Sequence, residues 1–155
     1  GLLLYKRSER ALAAPLFSLA ERRTNRLLAQ MIEQLNPEFE VILPQDFKHH
    51  GKFNDAKSFG LVFEACVKRL DTCAAVLAIL DGSDPDSGAS FEVGYAFAKS
   101  KPVIGVRTDY RQNQEKGLNL MLSRGCTRVI WRPAFDENLE ALCKEISRAL
   151  KKVLV

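Results

Sequence analysis

Seven apolar residues in a row, Ala74 to Leu80, end at Asp81-Gly82 and constrain the fold of this chain more than any other stretch. The run is too short for a lone helix and has no polar side, which is how a strand covered on both faces reads. Such a strand belongs in the middle of a parallel sheet. It opens into a loop carrying Asp81, Asp84 and Asp86, punctuated by Gly82, Pro85 and Gly88, before small and apolar residues resume at helical spacing from Ala89. In open α/β sheets ligands bind at that carboxyl end. Glu92 falls about a turn inside the helix, between Phe91 and Val93. The positive end of the helix dipole favours its charged form. A partly desolvated carboxylate near further carboxylates suits nucleophilic or general-base chemistry on an electrophilic carbon. The same acidic cluster also suits a plainer task, because Asp86 or Ser87 can cap the helix. The pattern alone leaves both readings open.

The rest of the chain alternates strand and helix around this centre. Gly1 to Arg10 has no clear assignment, and Ala11 to Ala14 reads as the first strand. Ser18 and Glu21 form the S-x-x-E capping pattern, followed by Leu19, Leu27, Leu28, Met31, Ile32 and Leu35 at helical spacing, to an end near Asn36-Pro37. Phe39 to Leu43 reads as a second strand, and Gln45-Asp46-Phe47 leaves its carboxyl end. Lys48 to Ala56 is a polar loop in which His49 and His50 read as surface residues. A helix over Lys57 to Thr72 is expected to turn Phe59, Val62, Phe63, Cys66, Val67 and Leu70 inward. Val103 to Arg107 reads as a fourth strand and Val129 to Trp131 as a fifth. Asn119 is the one polar residue in Gly117 to Leu122, where it either satisfies backbone groups or serves a site. An amphipathic helix from Phe135 to Leu154 closes the chain. This order implies one α/β domain over residues 1–155, its parallel sheet covered on both faces.

Composition narrows the function. The 155 residues carry a net charge of +4, with Lys and Arg spread along the chain, so no nucleic-acid stripe is present. Cys66, Cys73, Cys126 and Cys143 show no C-x-x-C spacing, which argues against zinc and fits free thiols in a reducing cytoplasm. No apolar run reaches the roughly 20 residues of a membrane span. Neither G-x-G-x-x-G after the first strand nor G-x-x-x-x-G-K-[ST] occurs.

Five segments together resemble the nucleoside 2-deoxyribosyltransferase family. They are Ala14-Pro15-Leu16-Phe17-Ser18, Leu43-Pro44-Gln45-Asp46, LDGSDPDSGASFEVGYA from Leu80, Lys101 to Gly105 with Arg107-Thr108-Asp109, and Asn119-Leu120-Met121-Leu122. The resemblance runs from about Ala11 to Trp131. It implies a flavodoxin-like (Rossmann-like) three-layer sandwich with a five-stranded parallel sheet. It also implies cleavage of the N-glycosidic bond of a 2'-deoxynucleoside through a covalent deoxyribosyl-glutamate, and transfer of the sugar to another nucleobase. The family's nucleophile falls on Glu92. Its aspartate for the sugar's 5'-hydroxyl falls on Asp86, and its asparagine that reaches a neighbouring subunit's site falls on Asn119. Gln45 and Asp46 fall where the family contacts the base; Phe17, Asp81, Gly88 and Met121, in the matching segments, are expected to bind substrate. The resemblance implies a homo-oligomer with shared sites and requires no metal or cofactor.

The chemistry agrees with these residue types, since a carboxylate below the anomeric carbon stabilises an oxocarbenium-like state and can then form the ester. Related deoxynucleotide N-hydrolases carry a small hydroxyl residue at the Asp86 position. A carboxylate there repels a 5'-phosphate by on the order of several kcal/mol when partly buried, which favours a nucleoside. The chain departs from the family at Cys66, where an aspartate commonly serves the base, and at Arg10-Ala11, where an apolar pair with a tyrosine is usual. A thiol is a weak donor. Glu64 and Asp71 lie on other helix faces, about 160° and 140° away, which makes Asp46 the expected replacement acid. A hydrolase acting on deoxynucleosides or their monophosphates, and a non-catalytic nucleoside-binding module, are the alternatives.

Overall fold

In the computed structural model, which describes residues 7–47, 56–112, 114–115 and 117–154, every strand is followed by a helix or a helical turn. The order is β1 (Ser8–Ala13), α1 (Leu19–Leu35), β2 (Phe39–Ile42), a 3-10 turn (Pro44–Asp46), α2 (Ala56–Thr72), β3 (Ala75–Ile79), α3 (Ser87–Ala98), β4 (Val103–Arg107), α4 (Leu120–Gly125), β5 (Arg128–Trp131) and α5 (Leu139–Lys152). The five strands form one parallel sheet in the order β2-β1-β3-β4-β5. The chain leaves β1 outward to β2 and returns on the other side at β3, so the order reverses between β1 and β3. That reversal opens a crevice beyond their carboxyl ends.

Period-two alternation divides the strands between two cores. Leu12, Leu77, Ile79, Ile104 and Val106 pack with Leu28 and Ile32 of α1 and Ile146 and Leu150 of α5. On the opposite face Ala11, Ala13, Val76, Ala78 and Leu80 pack with Leu70 of α2 and Ala89, Val93 and Ala96 of α3. Small residues dominate this second face. At Gly105 a Cβ would meet Cys126 Sγ at 2.8 Å. α3 therefore lies close on the sheet, and the start of α3 meets the crevice.

Several expectations are corrected. β1 begins at Ser8 rather than Ala11, because Arg10 is tolerated inside the sheet. Its guanidinium lies over the Phe39 ring at 4.1 Å and donates to Ser8 Oγ and the Glu9 carbonyl. In α1 the capping box forms as read, and Leu28 and Ile32 are buried, but Leu19, Leu27 and Leu35 are exposed. In α2 Leu70 is buried, while Phe59 and Phe63 are 51% and 57% exposed, facing out. The last helix starts at Leu139, and Phe135 instead stacks on Tyr110 with ring centroids 5.1 Å apart. α4, a single short helix, carries no sequence signal long enough to read. His49, His50 and most of the Lys48 to Ala56 loop lie outside the described residues.

Candidate active site

Glu92 sits in the second turn of α3, half-buried against α2. Burial lifts its carboxyl from the ordinary 4.5 to about 7; the Arg69 guanidinium pulls the other way, and Asp86 adds a further upward push. The dipole-favoured ionisation read from the sequence is thus corrected. A helix terminus offers about 0.3 to 1 kcal/mol, and desolvation exceeds it. Asp86 is the N-cap of α3, its Oδ2 accepting the Ala89 N–H at 2.9 Å. The cap does not use up its charge, which still reaches Glu92. Gly88 keeps that cap open, as a Cβ there would stand 3.0 Å from Asp86 Oδ2.

Asp81 is committed to the scaffold. Its carboxylate accepts from Thr108 N and Thr108 Oγ1, both at 2.6 Å, and from Asp109 N at 2.9 Å. Asp109 in turn accepts from Gly82 N and pairs with Arg111, whose guanidinium holds its carboxyl well below the usual range. Buried Arg107 donates to the Leu80 and Gly82 carbonyls at 2.6 and 3.1 Å and to that of Arg111 at 3.2 Å. Gly117, at φ +82°, passes so close that a Cβ would meet Arg107 Nε at 2.7 Å. The loops after β3 and β4 are therefore braced together at the rim of the crevice.

Other expected site residues turn elsewhere. Gln45 donates to the Arg22 carbonyl at 2.8 Å and accepts from Asn25 at 3.2 Å, tying the turn after β2 to α1. Asp46 gives both oxygens to Arg26, at 2.6 and 3.2 Å. In this arrangement both carboxylate oxygens face the Arg26 guanidinium, on a side chain that is half exposed. Asn119 is exposed and caps α4, accepting the Met121 N–H at 2.8 Å. Phe17 and Met121 are 81% and 74% exposed.

One residue the sequence reading passes over is Arg69. It follows Cys66 by three positions on α2, about 60° round the helix, and that spacing is the available signal. It is 6% exposed, its guanidinium lies over the Phe47 ring at 4.2 Å, and it acts electrostatically on both Cys66 and Glu92. Burial lowers its own affinity for a proton and pushes the Cys66 thiol up. Among the described residues no group of three His, Cys, Asp or Glu is placed to hold a metal ion, and no helix is long and apolar enough to cross a membrane.

Fold and site together define an α/β protein of the flavodoxin-like kind, with paired carboxylates at the switch point of its sheet. The profile of the nucleoside 2-deoxyribosyltransferase family matches residues 12–121, and the chain belongs to that family. Among curated proteins no sequence matches it. A conserved protein from Enterococcus faecalis V583 is 27% identical, with a TM-score of 0.73 over 93% of this chain and 99% of that one. The 2-deoxyribosyltransferase of Bacillus psychrosaccharolyticus is 19% identical, with a TM-score of 0.68 over 79% of this chain and 85% of the other. The CMP N-glycosidase BcmB of Clostridium botulinum is 18% identical, with a TM-score of 0.59 over 87% of this chain and 98% of its own. The last two are likenesses of fold.

Proposed function

We propose that the protein is a nucleoside 2-deoxyribosyltransferase, which exchanges the base of a 2'-deoxynucleoside through a deoxyribosyl ester of Glu92. The observation that carries this is the Glu92 carboxyl itself, half-buried on α3 beside a second carboxylate and titrating at about 7. A nucleophile of that kind is deprotonated in about half the molecules at neutral pH and is poorly solvated, so it attacks a cationic carbon readily. Its Oε forms the bond to C1' as the glycosidic C1'–N bond breaks. Asp86, at the N-cap below, receives the 5'-hydroxyl. The absence of a 2'-hydroxyl lowers the cost of positive charge at C1', which is why deoxyribose suits the site.

The active form is a homo-oligomer. Phe63 and Phe91 stand 5.9 Å apart on the outer faces of α2 and α3, next to Glu92, and are 57% and 51% exposed together with Phe59 and Leu61. An aromatic face of this extent is costly in water, and a second copy covers it while bringing its own loops to the site. The four cysteines, all unpaired, support a reducing compartment such as the cytoplasm. To test the reaction, the protein is incubated with deoxyinosine or thymidine, with and without free adenine or cytosine, and the products are separated. The exchanged nucleoside is expected only with acceptor present; free base released without acceptor makes the protein a hydrolase, and intact substrate in every mixture makes it a binding module.

A further inference from the structure

A guanidinium buried to 6% exposure costs several kcal/mol unless something repays it. At Arg69 no hydrogen bond among the described residues does: Nε, Nη1 and Nη2 all lack a partner. The nearby Cys66 thiol is a weak acceptor and does not satisfy them. Phe47 covers one face of the planar group at 4.2 Å, so the N–H edges are what remains to be used. Arg69 feels the charge of Glu92, yet the two form no direct ion pair. A carboxylate and a buried set of unpartnered donors are therefore close enough to feel each other's charge without forming a bond.

Cleavage of a glycosidic bond separates charge in the same sense. The sugar carbon becomes positive, and the base takes the electron pair onto its ring nitrogen, from which it delocalises to a ring carbonyl. The geometry points to Arg69 as a catalytic residue that contacts the departing nucleobase, donating from its N–H edge to the carbonyl or ring nitrogen where negative charge collects. This rests on the deoxyribosyl-transfer reading and gives the leaving-group role to Arg69 in place of Asp46. A fixed cation stabilises the anion of the base with no proton transfer in the transition state. The step balances: Glu92 Oε bonds to C1', the C1'–N pair goes to the base, and the proton later lost by the acceptor base is the one the departed base gains. The substrate class that follows is bases with an oxo group beside the glycosidic or conjugated ring nitrogen, with adenine the poorer donor.

The test compares leaving groups. Thymidine is set against 5-fluorodeoxyuridine, whose base departs more readily; if only purines are cleaved, deoxyinosine is set against its N7-methylated cation, which departs neutral. Arg69→Gln is expected to lower kcat/KM for the poor leaving group by about 100-fold or more, as loss of one charge-stabilising donor does, and for the good one by about 10-fold or less. Arg69→Lys, which keeps the charge and is the variant to use if the glutamine substitution prevents folding, should fall between and keep the same ordering. Equal losses on both substrates, with the pH profile displaced to higher pH, mean that Arg69 acts only through Glu92 and overturn the inference alone. Failure of the wild type to cleave any of these nucleosides overturns the proposed reaction, and this inference with it.

Discussion

Replacing Glu92 by glutamine should make the protein less sensitive to alkali as well as inactive. Between pH 4.5 and about 7 the folded chain holds a proton on Glu92 that the unfolded chain has released. Stability falls with rising pH wherever the native state binds more protons. The contribution is therefore fully present below the unfolded value and is lost as pH rises through the folded one. A gap of about 2.5 pH units at 1.36 kcal/mol per unit corresponds to about 3 kcal/mol, or roughly 6 to 12 °C in Tm for a chain of this length. The assay is urea denaturation of wild type and Glu92→Gln at pH 4.5, 6, 7 and 8.5. Wild type should lose about 3 kcal/mol across that range relative to the variant. Because slopes are compared, the amide's own packing cancels, and the carboxylates held low by hydrogen bonds, such as Glu21 and Asp109, act below this window in both proteins. Parallel curves would refute the buried-carboxyl argument.

Other perturbations follow from the same geometry. The kcat/KM of the wild type should rise with pH through about 7 and then level, since the nucleophile must be ionised; a flat profile from pH 5 to 9 contradicts this. Asp86→Ser keeps a capping side chain and removes the charge that pushes Glu92 up, so the midpoint of that profile should move down while the melting temperature changes little. Gly117→Ala forces a Cβ to 2.2 Å from the Arg111 carbonyl at φ +82°, and should cost more than about 2 kcal/mol in chemical denaturation. Phe63→Asp with Phe91→Asp should leave the far-UV circular dichroism intact, shift the protein to monomer by light scattering and abolish exchange; a variant that stays assembled and active removes the shared-site idea.

How much of this is visible in the chain depends on whether a residue's neighbours are close in sequence. The unbroken run at Ala75–Ile79, the Ser18–Glu21 box and the Gly88–Glu92 turn are local signals, and each points to its element directly. Outward-facing Phe59 and Phe63 mislead because an aromatic at helical spacing looks the same whether it meets the sheet or another surface. Arg10 misleads because its cover, Phe39, comes from the next strand. At the site, Glu92 and Asp86 share one helix start and can be paired from sequence. Arg69 cannot, since its place beside Glu92 depends on α2 and α3 lying side by side on the small-residue face of the sheet. The ionisation of Glu92 is hidden for the same reason: the dipole is a property of one helix, whereas burial is a property of two.

In the proposed reaction Asp86 is the residue at which specificity separates from fold. One carboxylate oxygen holds the start of α3 through the Ala89 N–H, a duty that serine, threonine or asparagine performs about equally well. The charge is therefore not what the helix requires. What it adds is a repulsion that raises Glu92 and, in the proposed reaction, a barrier to any phosphate arriving at the 5' end of the sugar. A neutral cap would leave the helix in place, ionise Glu92 at lower pH and admit a nucleotide. Selection between nucleoside and nucleotide can thus turn on a residue whose structural work is unchanged by the substitution. If Glu92 is the nucleophile as proposed, its ionisation and the substrate's charge are set together, because both depend on the same carboxylate.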